Sequence, residues 1–541
     1  MKPATQSQDF FKGALILTVA ALVSKILSAV YRVPFQNIVG DVGFYIYQQV
    51  YPFYGGLLVL STYGFPVVIS KLYTEQVVKG NKEKAARLLL ISLFFLCVLG
   101  LILFCSFYFG AEWLAGVMGD PKLALLFRIV AIPFLVFPFI SVLRGYFQGR
   151  GNMVPTAVSQ VGEQFIRVLT ILLLALLLVR SGYSLYMAGG GAVFGSITGG
   201  IVSCFILATF YMRARDGSIL GRHEIVQTAR EALPVIKTLT VQGFAFSISG
   251  MALILMQLAD SLNLLNQLVS SGLSEEAAKK AKGVFDRGQP LIQIGTVVAT
   301  SFALSLVPAI SGEKLRNRKG QVLQNVRISL QLSLLVGAAA SVGLYSIIEP
   351  TNIMLYRNSD GSNVLALLSF IILPGSIMIT VIGVLQGLNH SMFPALIILG
   401  GFLAKYSLNF FLVPLWGTNG AAMATMIAMA FMMAFLAGRL RTILKGPILL
   451  GSSILRILLA SGAMGLFLQV YLKLTDFFYL YLAPLRLAAA LQAVSAVVFG
   501  AALYLIIVIK FRVLKETELL MLPLGSKLLF LLPKKTGDDG R

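Results

Sequence analysis

The sequence predicts an all-α polytopic membrane protein of about 14 transmembrane helices, built as two parallel six-helix lobes followed by two further helices, with both termini cytoplasmic. Three observations predict it. Of 541 residues, 57% are hydrophobic and only 12% charged, a composition that excludes an ordinary soluble domain. Apolar runs of about 18 residues or more, enough to cross a hydrocarbon core of about 30 Å, recur along nearly the whole chain. Between these runs, Lys and Arg concentrate in alternate connections.

The spans follow in order. The first, 11–32, starts after Lys2 and Lys12 like a secretory leader, but no small-residue cleavage site closes it and Lys25 lies inside it, so it is a span. Spans two to six are read at 44–70, 86–109, 123–144, 154–179 and 186–212. Pro133 and Pro138 are kink points in span four. Gly191, Gly195 and Gly199 form a small-xxx-small packing stripe in span six. Spans seven to twelve are read at 237–260, 289–311, 328–348, 364–388, 393–415 and 420–438, and two more at 450–472 and 484–509. The longest outer loop, 261–288, carries Glu275, Glu276, Lys279, Lys280, Lys282 and Asp286 and reads as a solvated helix. Past the last span, Leu519 to Leu532 is apolar, broken by Pro523 and flanked by charge, which predicts a helix lying on the inner leaflet.

Internal echoes divide the spans. Gln49-Val50-Tyr51-Pro52, Gly55 and Pro66 to Ser70 return as Gln289-Pro290, Gly295 and Pro308 to Ser311. Gln148-Gly149, Pro155 and Gly162 return as Gln386-Gly387, Pro394 and Gly401, and Gly191-Ala192 as Gly420-Ala421, all about 230–240 residues apart. That offset equals six spans. It predicts an N-lobe at 1–212, a cytoplasmic linker at 213–236, a C-lobe at 237–445, two extra helices at 446–510 and a cytoplasmic tail at 511–541. Parallel repeats place a substrate between lobes that rock.

The net charge of +22 is mostly topology. Most of the 44 Lys and Arg fall in the connections assigned to the cytoplasm, and no basic stretch is interleaved with stacking aromatics, so no nucleic acid is expected. Of the rest, most lie in outer loops and at span edges, but Lys25, Arg128, Arg167, Lys405 and Arg456 fall within spans, against acids only at Glu163 and, near a span end, Asp260. A charge at mid-helix costs about 2.5–3.5 kcal/mol on insertion scales, so this cationic bias points to a wet interior that accepts an anion. Lys25 reads either as a phosphate contact or as a lysine snorkelling to the outer interface. Arg32, seven residues on, is a second contact or a span-end anchor. Glu163 and Arg167, at i and i+4, either neutralise each other or form a pair that substrate opens. Lys405 holds nearly the same repeat position as Arg167, so the two read as symmetric cations on one cavity, whereas Arg128 and Arg456 read as interface anchors. Asp41 and Asp260 bind a coupling cation or cap helices.

Other chemistries find little support. Cys97, Cys105 and Cys204 fall within spans and read as packing residues, and His223 and His390 as loop residues, so neither a metal site nor a cofactor is expected. There is no Gly-Lys dipeptide, hence no Walker loop to drive transport with ATP.

Two blocks carry a family resemblance. Tyr31-Arg32-Val33-Pro34, Gly40-Asp41-Val42-Gly43, Tyr47-Gln48, Tyr51-Pro52 and Gly64-Phe65-Pro66 form the first. Arg144-Gly145-Tyr146-Phe147-Gln148-Gly149, Pro155-Thr156-Ala157, Glu163-Gln164 and Arg167 form the second. Together they resemble the SpoVB and MurJ-like branch of the multidrug/oligosaccharidyl-lipid/polysaccharide exporter superfamily. The resemblance implies a flippase that carries an undecaprenyl-diphosphate-linked saccharide, such as a peptidoglycan precursor, to the outer leaflet, with the last two helices forming a groove for the lipid tail. Implied partners are that anionic lipid-linked saccharide, membrane lipids and cell-wall synthesis proteins. The substrate-binding candidates are Lys25, Arg32, Gln148, Glu163, Arg167 and Lys405. The chain departs from the pattern in lacking an arginine in span two and in having Arg287 just before span eight. Export of cationic drugs, a polytopic enzyme on lipid-linked glycans, and a scaffold are the alternative readings.

Overall fold

A computed structural model describes residues 3–214, 225–297, 299–301, 310, 319–445, 451–481, 484–511 and 513. Every regular element among them is a helix. The centre of the predicted linker with His223, the second half of span eight and the predicted helix Leu519 to Leu532 lie outside the described residues. Among the described residues, twelve helical segments are long and apolar enough to cross a membrane. Two of these are double length, Leu15–Val78 with 64 residues and Met392–Leu444 with 53. About 20 helical residues already span 30 Å, so each must fold back. Each bends at a glycine with positive φ, Gly40 (69°) and Gly417 (55°), a conformation open to glycine at little steric cost. Spans one and two, and eleven and twelve, are thus joined by helical corners rather than by loops.

By their internal contacts the residues form two compact units, Met1–Val297 with Leu385–Phe435, and Val298–Val384 with Leu436–Arg541. In the first, α1 is Pro3–Val30, α2 Arg32–Val59, α3 Phe65–Val78, α4 Lys82–Phe109, α5 Ala111–Val117, α6 Ala124–Ala131, α7 Pro133–Gly149, α8 Val154–Arg180 and α9 Leu185–Arg213. It continues with α10 Ile225–Thr238, α11 Phe244–Gly250, α12 Ala252–Ser270, α13 Glu275–Asp286 and α14 Gly288–Gly295. Two π-helical turns, Leu60–Gly64 and Leu239–Gly243, interrupt the runs α2–α3 and α10–α11 and touch each other. Pro133 opens α7, where its missing N–H has no helical partner to lose, while Pro138 sits inside that helix.

The helix α8 shows why a membrane bundle reads inside out. Phe165, Leu169, Leu173 and Leu177 are exposed, whereas Gln160, Glu163, Gln164 and Arg167 on the other face are buried. Lipid solvates the leucines, so the polar face must turn inward to find partners. The glycine stripe of α9 makes this possible. A Cβ on Gly195 would lie 2.9 Å from the Arg167 carbonyl oxygen, and one on Gly199 would lie 2.8 Å from that of Glu163. The stripe therefore seats α9 on the backbone of α8 at its two charged residues.

The chain goes on through α15 Lys319–Ser346, α16 Ile348–Tyr356, α17 Ser362–Ser369, α18 Ile372–Gly387, α19 Met392–Leu444, α20 Gly451–Leu474, α21 Phe477–Tyr481 and α22 Leu485–Lys510. In the second unit α20 and α22 pack on α15 through Ile457, Met464, Leu468, Ala496 and Val508. The buried Tyr504 hydroxyl donates to the Leu335 carbonyl at 2.9 Å, which satisfies it in the apolar seam.

Candidate functional site

The residues Tyr47, Tyr51 and Tyr54 recur at helical spacing on α2, and Tyr31 closes the corner between α1 and α2. Their rings gather round two arginines. Arg32, buried to 1% exposure, lies 4.3 Å over the Tyr51 ring and donates from Nη1 to Gln293 Oε1 at 3.2 Å. Arg167, equally buried, stands 5.5 Å from the Tyr31 ring and 5.0 Å from that of Tyr54. The Tyr31 and Tyr47 hydroxyls are 2.6 Å apart. A cavity of ≈ 10 Å³, about the space of one water, is lined by Tyr47, Tyr51, Tyr54, Arg167 and Ser196 with Val130 and other apolar residues. What distinguishes these arginines is what they do not bond. Nε and Nη2 of Arg32, and Nε, Nη1 and Nη2 of Arg167, make no hydrogen bond among the described residues. A guanidinium cannot shed its charge, so these donors are held unsatisfied against the ring faces, where cation–π attraction offsets part of the desolvation.

The expected Glu163–Arg167 pair does not form. Glu163 Oε2 instead accepts from Arg144 Nη2 at 2.8 Å. Arg144, on α7, also donates to Ser159 Oγ (3.1 Å), Ser203 Oγ (3.0 Å), Thr62 Oγ1 (3.0 Å) and the Ser61 carbonyl (3.3 Å). Its five N–H donors are thus all used, and the network ties α7, α8 and α9 to the π turn after α2. The sequence offered Glu163 a partner one turn away on its own helix. The fold gives it one on a neighbouring helix, and Arg167 is left to the tyrosines.

The candidates Lys405 and Asp260 meet each other. Lys405 Nζ donates to Asp260 Oδ2 and, at 2.8 Å, to the Met256 carbonyl, all buried between α12 and α19. Lys405 therefore does not line the Arg167 cavity, contrary to the symmetric arrangement expected from the repeat. Asp41 is engaged by Arg287, whose Nη2 and Nε reach its Oδ1 at 2.6 and 3.0 Å, and by Gln36 Nε2 at 2.8 Å.

Helix α13 is also a correction, because it is not a solvated helix. Lys279, Lys282 and Asp286 are all buried. Lys279 Nζ meets Asp120 Oδ2 at 3.1 Å, the Tyr186 hydroxyl at 3.0 Å and Glu275 Oε1. Lys282 pairs with Asp286 at 2.9 Å and sits over the Tyr45 ring. Burial lowers the Lys279 pKa, but its hydrogen bonds to Glu275, Tyr186 and Asp120 outweigh that and raise it above the usual lysine value. The bond to Lys279 lowers the pKa of Glu275, and burial raises that of Asp286 against the pull of Lys282. The i, i+4 charge pattern is the same for a solvated helix and for one clamped to distant partners; Asp120 and Asp41 decide which.

The remaining candidates lie apart. Lys25 is half-buried within α1, which packs along α8. Gln148 is buried one turn beyond Arg144 at the end of α7 and is not among the cavity's lining residues. Arg128 pairs with Glu112 at 2.7 Å and Arg456 reaches the Phe511 carbonyl at 3.3 Å, both at exposed positions that suit anchors.

Comparison with known proteins agrees with this architecture. The chain is 42% identical over 527 residues, 96% of each protein, to the uncharacterized membrane protein YabM of Bacillus subtilis (strain 168). It is 27% identical over 520 residues, 92% of this chain and 95% of the relative, to the lipid II flippase MurJ of the same organism. Among solved structures, the lipid II flippase MurJ in its inward closed conformation matches with a TM-score of 0.64 at 15% identity, covering 91% of this chain and 98% of that one. That likeness carries the fold. With the long apolar helices, these relatives make the chain a multi-pass protein of the cell membrane. Residues 10–314 match the family described as polysaccharide biosynthesis protein, and the chain belongs to that family.

Proposed function

We propose that the protein is a flippase that moves a lipid-linked saccharide across the cell membrane by alternating access, and that Arg32 and Arg167 receive the anionic phosphate of its lipid linkage. The observation that carries this reading is the pair of buried arginines whose unbonded guanidinium donors gather at one tyrosine cluster. Buried polar groups are ordinarily satisfied, and a group left otherwise is a strain reservoir or a ligand site. Guanidinium forks match phosphate oxygens in geometry and charge, and tyrosine hydroxyls can add donors at the rim.

The physical need for such a device is clear. A saccharide brings many hydroxyls and amides, each costing several kcal/mol in hydrocarbon if unsatisfied, so unaided crossing is prohibitive. A polar cavity removes that barrier. The space beside Arg167 holds about one water, so the phosphate enters only when the helices part, which is what alternating access supplies. Family membership and the relatives named above support the saccharide-carrying reading and a transporter rather than an enzyme. Peptidoglycan precursor is the specific cargo we propose, carried outward.

The test is leaflet-resolved labelling of undecaprenyl-diphosphate-linked precursor in cells depleted of other flippases, with and without this protein. Precursor on the outer leaflet only when the protein is present, and lost with Arg167→Gln, is the expected result. Precursor retained inside despite abundant protein would remove this cargo.

A further inference from the structure

We infer that Lys405 is a tethered cation, its ammonium filling a monovalent-cation site made by the Asp260 carboxylate and the Met256 carbonyl and steadied by the Asn409 side chain, so that the protein takes no free cation at this place. The oxygen set is that of a cation site. Asp260 supplies Oδ2 and the α12 backbone supplies the Met256 carbonyl, both to Lys405 Nζ. Asn409 donates from Nδ2 to Asp260 Oδ1 at 3.1 Å and to Asn263 Oδ1 at 2.8 Å, while Asn263 donates to the Tyr406 carbonyl at 2.8 Å. These bonds orient the carboxylate from behind, much as outer-shell partners orient the ligands of a metal. Asn409 is fully buried, yet its Oδ1 has no hydrogen-bond partner among the described residues, so the cluster holds one more oxygen than the lysine uses.

Sealing completes the argument. Lys405 and Asp260 are each 1% exposed, and Lys282 and Asp286 on α13, which act on Lys405 with opposite sign, are paired with each other. Asp260 thus needs a permanent local positive charge, and one uncompensated buried carboxylate would be costly. An alkali ion would serve, with hard oxygen ligands from carboxylate and carbonyl. The ammonium presents its donors to the same oxygens, and its four-carbon stem makes the cation part of the chain. The sequence-based expectation of a coupling ion at Asp260 is met by a residue.

The inference is independent of which cargo is carried, because its test reads stability. Full-length protein purified in detergent is melted in NaCl and in choline chloride at equal ionic strength. Wild type should melt alike in the two salts. Lys405→Ala should melt low in choline and regain Tm in NaCl or ammonium chloride, by about 1 °C per tenfold increase in the salt. The double variant Lys405→Met/Asp260→Asn, neutral at both positions, should fold and lose the difference between salts. The idea is overturned by a saturable sodium-specific rise of Tm in wild type that Asp260→Asn abolishes. It is equally overturned if Lys405→Ala melts identically in all three salts, or fails to fold in any of them while the double variant folds.

Discussion

Arg144 and Arg167 are both fully buried arginines in adjoining helices, and they differ in satisfaction rather than in depth. Arg144 spends five donors on Glu163, Ser159, Ser203, Thr62 and the Ser61 carbonyl, whereas Arg167 spends none on a hydrogen bond among the described residues. Truncating a satisfied buried charge strands its partner, so Arg144→Gln should cost about 3–5 kcal/mol and appear as lost folded protein in a detergent melt. Arg167→Gln removes a charge that the fold holds at a cost. Its Tm should equal or exceed that of wild type while transport of lipid-linked precursor is lost, the stability–activity trade-off expected of a ligand site. A fall in Tm with Arg167→Gln as large as that of Arg144→Gln would make Arg167 structural instead.

Helix α13 joins its neighbours by three basic residues and one glycine. A Cβ on Gly283 would stand 2.1 Å from the Asp41 carbonyl oxygen, so Gly283→Ala must push α13 off α2 and strain the Arg287–Asp41 pair. Overpacking of this kind costs about 1–3 kcal/mol, and cysteines placed on α13 should become more reactive to a polar maleimide. The pH dependence follows from sign. The raised pKa of Lys279 leaves its contribution intact below the usual lysine value and loses it only as pH rises through the raised one. The lowered pKa of Glu275 keeps its contribution above the usual glutamate value, to be lost as pH falls through the lowered one. Maleimide reactivity of cysteines on α13, divided by that of an exposed reference cysteine to remove the thiol's own titration, should therefore stay flat between about pH 6 and 9, and a steep change in that ratio would mean that other groups hold the helix. The glycine stripe of α9 was legible in the sequence because close approach depends on local spacing. The clamping of α13 was not, because Asp120 and Asp41 lie far away in the chain. The tyrosine face of α2 was open to reading at i, i+4 and i+7, but rings in an apolar span pass for ordinary core until the arginines are seen beside them.

For the whole molecule, composition and loop charge made the membrane architecture readable, since length and hydropathy alone decide what crosses a bilayer. Partner choice among the buried charges was not readable, because each ion in a low-dielectric interior pairs by three-dimensional proximity. That choice now bears on the transport cycle. Near one end of α2, the pairs Arg287–Asp41 and Lys279–Asp120 bind α13 to the helices around the tyrosine cavity. Both lie in one compact unit, and both are shielded, so salt does little to loosen them. If alternating access parts these helices to admit the phosphate, the two pairs must open once per cycle. A cross-link that keeps them shut should then stop transport without harming the fold. The double variant Asp120→Cys/Lys279→Cys, in a background with Cys97, Cys105 and Cys204 changed to Ala, should transport when reduced, stop when oxidised and recover in reductant. Oxidised protein that is fully cross-linked and still carries precursor outward would show that the clamp stays closed throughout, and that the arginines are reached from the other side of the bundle alone.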